Sequence, residues 1–175
     1  MSSQALKIIR VQHQDNLKLL EIGYQTFYDA FGPPVNTEEN IQEYLKEKFT
    51  LDQINKELAE PDSEFYFALI DTQIVGYIKV NFNDAQTEKI QGNGLEIERI
   101  YIVKMHQGKN FGQILFNSCL NIAENRNVDF IWLGVWDQNT RAIRFYERNN
   151  FKIFGKHQFV LGTEIQTDMM MRLDL

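Results

Sequence analysis

Leu95-Glu96-Ile97-Glu98-Arg99-Ile100-Tyr101-Ile102, followed by Val103-Lys104-Met105-His106-Gln107-Gly108-Lys109-Asn110-Phe111-Gly112 and an apolar-periodic run to Asn125, is the stretch that decides how this chain folds. Its first part alternates isoleucine with charged or polar residues, the period-two pattern of a strand. Its last part places Ile114, Leu115, Ser118, Cys119, Ile122 and Ala123 at helical spacing, one face of an amphipathic helix. The short loop between them carries glycine and Asn110 and no acidic residue. A strand, a glycine-bearing loop and a helix can aim backbone N–H groups and the positive helix end at a bound anion. The same features also make an ordinary strand-to-helix turn, and the loop alone leaves both readings open.

Working outward, the 175 residues are expected to form one domain, 1–175, large enough for a substantial core. The net charge of −6 and pI near 5.1 argue against a nucleic-acid-binding surface, which normally shows a basic face, and suit a cationic partner. The single cysteine, Cys119, rules out an internal disulfide framework, fits a reducing compartment and falls on the apolar face of the predicted helix as a packing residue. No apolar signal core opens the chain and no stretch reaches membrane-spanning length, so a cytoplasmic protein with no membrane partner is expected. His13, His106 and His157 are scattered without metal-ligand spacing, and no metal site is expected.

Before the central stretch, Lys7 to Gln12 reads as a short strand, and Asp15 can cap a helix whose Leu20, Tyr24, Phe27 and Phe31 face the core, ended by Gly32-Pro33-Pro34. Asn36 or Thr37 starts a second helix, with Glu39 available for a capping box and Ile41, Tyr44 and Leu45 inward. Thr50 and Gln53 repeat the pattern for a short helix carrying Leu51, Ile54 and Leu58. Glu64 to Ile70 and Ile74 to Phe82 form a hairpin, in which Gly76 suggests a bulge or close backbone approach. Asn83 to Gly94 is a polar loop. After the central helix come a strand from Phe130 to Val135, a helix opening at Asn139, and two strands near Phe151 to Phe159 and Gln166 to Leu173.

Ile100-Tyr101-Ile102, with Gln107-Gly108-Lys109-Asn110-Phe111-Gly112 at fixed spacing, resembles the acetyl-CoA signature of the GNAT superfamily of N-acetyltransferases. Asn110 stands where the first motif glycine is usual, and asparagine is the non-glycine residue that best tolerates left-handed backbone angles. Asn139 to Phe151 resembles the family's Asn…Ala…Phe-Tyr-x-x-x-Gly-Phe helix, again with asparagine, Asn150, in place of glycine. The resemblance implies an α/β (α+β) GNAT fold. Its mixed, mostly antiparallel sheet has about seven strands and about four or five helices, splayed between the fourth and fifth strands to hold acetyl-CoA. Within the superfamily, the 95–102 stretch, Gly76 to Asn81, Ile131 to Trp136 and Gln166-Thr167-Asp168 look most like the PaiA-type spermidine/spermine N-acetyltransferases.

The implied activity is acetyl transfer from acetyl-CoA to a small primary amine, a polyamine in the PaiA case, by direct attack in a ternary complex. The protein would act as monomer or homodimer. Another small amine, a protein N-terminus, or acetyl-CoA sensing with little turnover are the alternatives. The resemblance assigns cofactor contacts to Ile100, Tyr101, Ile102, Gln107, Gly108, Lys109, Asn110, Phe111, Gly112, Gln113, Asn139 and Tyr146, with a backbone N–H, that of Ile102, polarising the thioester. Tyr146 matches the general acid; a phenol near pKa 10 is a sensible donor to a thiolate of somewhat lower pKa. Glu96 aligns with the position of a catalytic carboxylate in several members. Glu96 and Glu98 differ by two and are expected to share a strand face, with Arg99 on the other. Together they could attract the acceptor ammonium and relay its proton, unless one of them merely pairs with Arg99 or Lys79. Glu39, Glu43 and Glu47 recur at i+4, either as a guide for a polycation or as a solvated face. Trp132 and Trp136 share a strand face and either wall the acceptor tunnel or pack.

Overall fold

The computed structural model describes residues 5–175. Among these residues, the chain runs through β1 (Leu6–Arg10), α1 (Asn16–Phe31), α2 (Glu38–Lys48), α3 (Leu51–Ala59), β2 (Ser63–Ile70), β3 (Gln73–Asn81), β4 (Gly94–Ile102), α4 (Phe111–Asn125), β5 (Phe130–Trp136), α5 (Thr140–Arg148), β6 (Lys152–Leu161) and β7 (Glu164–Asp174). The seven strands form one sheet in the order β1-β2-β3-β4-β5-β7-β6. Every neighbouring pair is antiparallel except β4–β5. That pair is parallel because α4 carries the chain back across the sheet between them, the crossover that parallel strands require. No helix among the described residues is long and apolar enough to cross a membrane.

The expected splay is present. β4 and β5 pair only at Gly94↔Phe130, Leu95↔Ile131 and Glu96↔Trp132. Beyond that point β4 stays with β3 as far as Gly76↔Ile102, and β5 stays with β7 as far as Trp136↔Asp168. The sheet therefore opens into a gap between two strands that are adjacent at their start.

One face of the sheet packs on α4 and α5 through Leu95, Ile97, Leu115, Phe116, Cys119, Ile131, Leu133, Tyr146 and Phe151. The other face packs on α1 and α3 through Leu19, Ile22, Ile54, Phe65, Phe67 and Tyr77. A third cluster, Phe27, Ile41, Leu45, Phe49 and Leu161, joins α1 and α2 to the β6–β7 hairpin. Buried amides reinforce that junction: Gln166 Nε2 donates to Asn36 Oδ1 at 2.7 Å, and Asn40 Oδ1 accepts from the Thr163 N–H at 3.2 Å.

Helix starts follow the capping residues in part. Thr37 accepts from the Asn40 N–H at 3.2 Å and Thr50 from the Gln53 N–H at 3.1 Å. With Thr37 as cap, the third helical position is Asn40, so Glu39 completes no capping box. Asp15 makes no cap bond to α1; it closes the preceding 3-10 turn, accepting from the Gln12 N–H at 3.2 Å. The buried stripe of α1 is Leu19, Ile22, Gly23, Thr26 and Phe27, while Tyr24, expected inward, is 38% exposed. Gly76 is a close approach as expected: a Cβ there would lie 2.5 Å from the Tyr101 carbonyl oxygen.

The largest departure from the sequence reading is a bulge in β4. Lys79 pairs with Arg99 and Val80 with Ile97, which leaves Glu98 as an extra residue. Two residues then oppose one, and the inward–outward alternation slips by one position. Ile97 and Ile100 both face α4 as a result. Arg99 shares the opposite face with Glu98, 3.2 Å away, where strict alternation would have placed them on opposite sides.

Candidate active site

β4 ends at Ile102 and is followed by a 3-10 turn, Lys104–His106. Gln107 Nε2 donates back to the Ile102 carbonyl oxygen at 3.0 Å, closing the loop on itself. Gly108 has φ +77° and Asn110 has φ +64°, so asparagine fills the left-handed position that glycine usually serves. Asn110 makes no side-chain cap bond, and its part in the loop is conformational. The first intrahelical bond of α4 runs from the Ile114 N–H to the Asn110 oxygen. The N–H groups of Phe111, Gly112 and Gln113 thus have no partner within the helix. A Cβ placed on Gly108 or Gly112 would meet nothing within 4 Å. Room, unpaired donors, a positive helix end and exposed Lys104 and Lys109 fit the pyrophosphate of a nucleotide cofactor. His106 packs its half-buried ring near Phe111, with centroids 6.4 Å apart.

The gap begins beside this loop. The Val103 N–H donates to the Val75 oxygen at 2.9 Å; by strand alternation the main-chain groups of Ile100 and Ile102 point away from β3, into the opening. Their side chains face the α4 core, while Tyr101 faces the other way and packs near Tyr77 with centroids 5.9 Å apart.

Tyr146, on α5, is only 7% exposed. Its ring packs against Phe145 and Phe151 at 5.3 and 5.5 Å. Burial, with a smaller effect from the nearby Cys119, raises its phenol above the ordinary value. Asn139 caps α5, its Oδ1 accepting from the Ala142 N–H at 3.1 Å. At the other end, Asn150 takes φ +66°, the Asn150 N–H bonds to the Glu147 oxygen and the Phe151 N–H to the Tyr146 oxygen, both at 3.0 Å. That pair of bonds is the Schellman closure of a helix. Gln113 and Asn149 exchange amide hydrogen bonds of 2.8 and 3.2 Å, tying the first turn of α4 to the end of α5. Cys119 is buried in the α4 core, as its apolar neighbours suggested.

The face of β4 that meets α3 holds a buried charge network. Glu57 on α3 grips Arg99 with two bonds of 2.9 and 3.0 Å, and Lys79 bridges Glu57 at 3.1 Å and Glu98 at 2.6 Å. Burial acts to raise Glu98 and Glu57, but Arg99 and Lys79 outweigh it and hold both carboxyls below their ordinary values. Glu96 differs. Its partners are neutral: Asn81 Nδ2 at 3.0 Å, the Thr87 N–H at 2.8 Å, and the Thr87 hydroxyl. Burial pushes its carboxyl up, against the pull of those hydrogen bonds. The Asn81 amide also donates to Glu98 at 2.6 Å.

Glu57, Asn81 and Thr87 have no counterpart in the sequence reading. Lys79 and Asn81 carried one available signal, since polar residues alternate there with Ile78 and Val80 in an apolar strand. Trp132 is fully buried, with Nε1 donating to Gln86 Oε1 at 2.6 Å. Glu39, Glu43 and Glu47 are all exposed on α2, and Glu47 pairs with Lys48 at 2.7 Å.

A sheet closed at one end and parted at the other, with a bare helix N-terminus beside the opening, suits a ligand that carries phosphate. Residues 24–151 match the acetyltransferase (GNAT) family, and the chain belongs to that family. It is an N-acetyltransferase that uses acetyl-CoA. The chain is 36% identical, over 95% of its length and 96% of the relative's, to an uncharacterized N-acetyltransferase in the pepI 3′ region of Lactobacillus delbrueckii subsp. lactis. It is 23% identical, over 85% of its length and 89% of the relative's, to a spermidine N(1)-acetyltransferase of Thermoplasma acidophilum. The fold is shared with the crystal structure of the PaiA N-acetyltransferase of Thermoplasma acidophilum in complex with coenzyme A. The TM-score is 0.77 at 20% identity, covering 98% of this chain and 99% of that one.

Proposed function

We propose that the protein acetylates a primary amine of a polyamine, spermidine or spermine, by direct attack in a ternary complex, as a PaiA-type acetyltransferase. The observation that carries this reading is Glu96, a buried carboxylate held by neutral donors alone, at the last β4–β5 pair before the sheet parts. The network around it counts three carboxylates, Glu57, Glu96 and Glu98, against two cations, Lys79 and Arg99. An acceptor ammonium supplies the missing positive charge.

When bound, acetyl-CoA supplies an acyl group already activated as a thioester. The N–H groups of Phe111, Gly112 and Gln113 hold the pyrophosphate, with Gln107, Gly108 and Asn110 shaping the loop and Lys109 adding charge. The main chain of Ile100 and Ile102 and the amide of Asn139 line the path of the pantetheine arm, and the Ile102 N–H is the donor for the thioester oxygen; the Tyr101 main chain, expected to join them, is turned to β3 instead. Glu96 holds the proton removed from the acceptor amine, whose ordinary pKa near 10 would otherwise keep it unreactive at neutral pH. Tyr146 holds at its hydroxyl the proton destined for the departing sulfur. Glu98, saturated by Lys79 and Arg99, contributes its field and not a proton acceptor.

The net charge of −6, the exposed acidic residues of α2 and the spermidine-acetylating relative support a polycationic acceptor. Thiol release measured with spermidine, spermine and a matched monoamine across ionic strength tests it. Charge steering weakens as salt rises, so kcat/KM for spermidine should fall much more steeply than for the monoamine. Flat salt dependence with equal use of the monoamine removes the polyamine acceptor.

A further inference from the structure

Glu96 is 3% exposed, and both of its oxygens are occupied. Oε2 accepts from Asn81 Nδ2 at 3.0 Å and from the Thr87 N–H at 2.8 Å, and Oε1 accepts from the Thr87 hydroxyl. Thr87, in contrast, is exposed. Its hydroxyl, bonded to the buried carboxylate, links Glu96 to a residue at the surface. The loop segment that carries Thr87 is pinned on both sides. Gln86 Oε1 accepts from Trp132 Nε1 on β5 at 2.6 Å, and the Glu88 carboxylate lies 3.2 Å from His157 Nδ1 on β6. The His157 ring reaches over Gly134, where a Cβ would come within 3.1 Å of Nε2. Three successive loop residues therefore contact three different strands, with the middle one on the carboxylate. A depression of about 280 Å³ is lined in part by Gln86 and Glu88, the residues on either side of Thr87.

We propose that Thr87 is a catalytic residue whose hydroxyl relays the acceptor's proton to Glu96. The inference rests on Glu96 being the proton acceptor. As the ammonium N–H bond breaks, its proton bonds to Thr87 Oγ1. The proton already on Oγ1 passes to Glu96 Oε1 along the existing hydrogen bond. The hydroxyl ends as a hydroxyl, the carboxylate ends as a carboxylic acid, and the amine keeps the electron pair with which it attacks. No further reactant is needed, and the proton leaves by the reverse path to solvent.

Thr87→Val removes the hydroxyl at nearly constant shape while keeping the backbone N–H on Oε2. Turnover at pH 7 should fall by about 10²-fold, within the range of proton-transfer catalysis, with KM for acetyl-CoA unchanged. Near pH 9 the loss should shrink, because more of the amine is already neutral. Thr87→Ser should stay within about threefold of the native enzyme, since a serine hydroxyl can make the same relay. Thr87→Ala provides the same readout should valine crowd the loop. If Thr87→Val and Thr87→Ala turn over normally while Glu96→Gln is inactive, Glu96 is the base without a relay and this inference fails alone. If Thr87→Ser is as slow as Thr87→Val, the threonine is structural. If Glu96→Gln is fully active, both readings fall.

Discussion

Phe151 and Tyr146 close the end of α5 together: the Phe151 N–H donates to the Tyr146 carbonyl oxygen at 3.0 Å, and their rings pack with centroids 5.5 Å apart. The residue that permits this closure is Asn150, at φ +66°. Asn150→Val forces a branched side chain into the left-handed region at a cost of roughly 1–2 kcal/mol; Asn150→Gly should be neutral or slightly stabilising. Denaturant unfolding reads the stability. Turnover of the Asn150→Val enzyme, taken well below its melting point, should fall as well, because Tyr146 loses its anchor. Normal turnover in that variant would separate the helix end from the chemistry.

Tyr146→Phe keeps the packing and removes the hydroxyl. Acetyl-CoA affinity should be retained, and kcat should drop by about 10²–10⁴-fold if the phenol is the general acid. A fall of less than threefold would leave Tyr146 as a packing aromatic, with water protonating the sulfur.

The pH profile should carry the signature of Glu96. Burial raises its carboxyl above the unfolded value, so at low pH it is protonated and cannot accept a proton. kcat/KM should therefore rise with pH through that elevated value. Glu96→Gln should remove this acid limb and lose less activity near pH 9 than at pH 7. The stability effect has the opposite sense to that of a salt-bridged acid: holding Glu96 ionised costs stability, and the cost sets in as pH rises from the unfolded toward the folded pKa. An unaltered acid limb in Glu96→Gln would assign it to another group.

Glu57 offers a contrast. Its carboxyl is held below the ordinary value because Arg99 and Lys79 outweigh the effect of burial. Its contribution to stability is complete above the unfolded pKa and is lost as pH falls through the folded one. Glu57→Gln strips a partner from two buried cations and should cost about 3–5 kcal/mol, read by denaturant unfolding at neutral pH. A loss below about 1 kcal/mol, the size of an exposed pair, would mean that Glu98 alone neutralises Lys79 and Arg99.

Gly112→Asp tests the cofactor loop. A Cβ at this position meets nothing within 4 Å, so the fold should tolerate the change, while a negative side chain beside three unpaired N–H groups should exclude pyrophosphate. Calorimetry should detect no coenzyme A binding with the melting temperature nearly unchanged. Unaltered affinity would move the phosphate site elsewhere.

The parts of the site that are local in sequence were legible there. The loop from Gln107 to Gly112 and the helix from Asn139 to Phe151 each carry their conformation in adjacent residues, and both asparagines in glycine positions adopt the left-handed backbone their chemistry allows. The splay followed from the family resemblance. The bulge at Glu98 did leave a trace: Ile97 and Ile100 are three apart, with Glu98-Arg99 between them, which strict alternation cannot place on one face. Glu57 sits on α3 between Ile54 and Leu58, and the charges that accept it come from β3 and β4, so its role exists only after those elements meet. Thr87 lies in a loop with no periodicity, and its bond to Glu96 is a matter of tertiary placement alone.

The short β4–β5 pairing has an evolutionary corollary. Past Glu96 and Trp132 the lining of the opening includes peptide groups, which every residue supplies alike. Ile100 and Ile102 can thus devote their side chains to the core while their amides face the cleft, and mutation at these positions is screened for volume rather than for chemistry. A cavity walled in this way can survive extensive drift in the letters that encode it. The same architecture persists at 20% identity in the Thermoplasma enzyme.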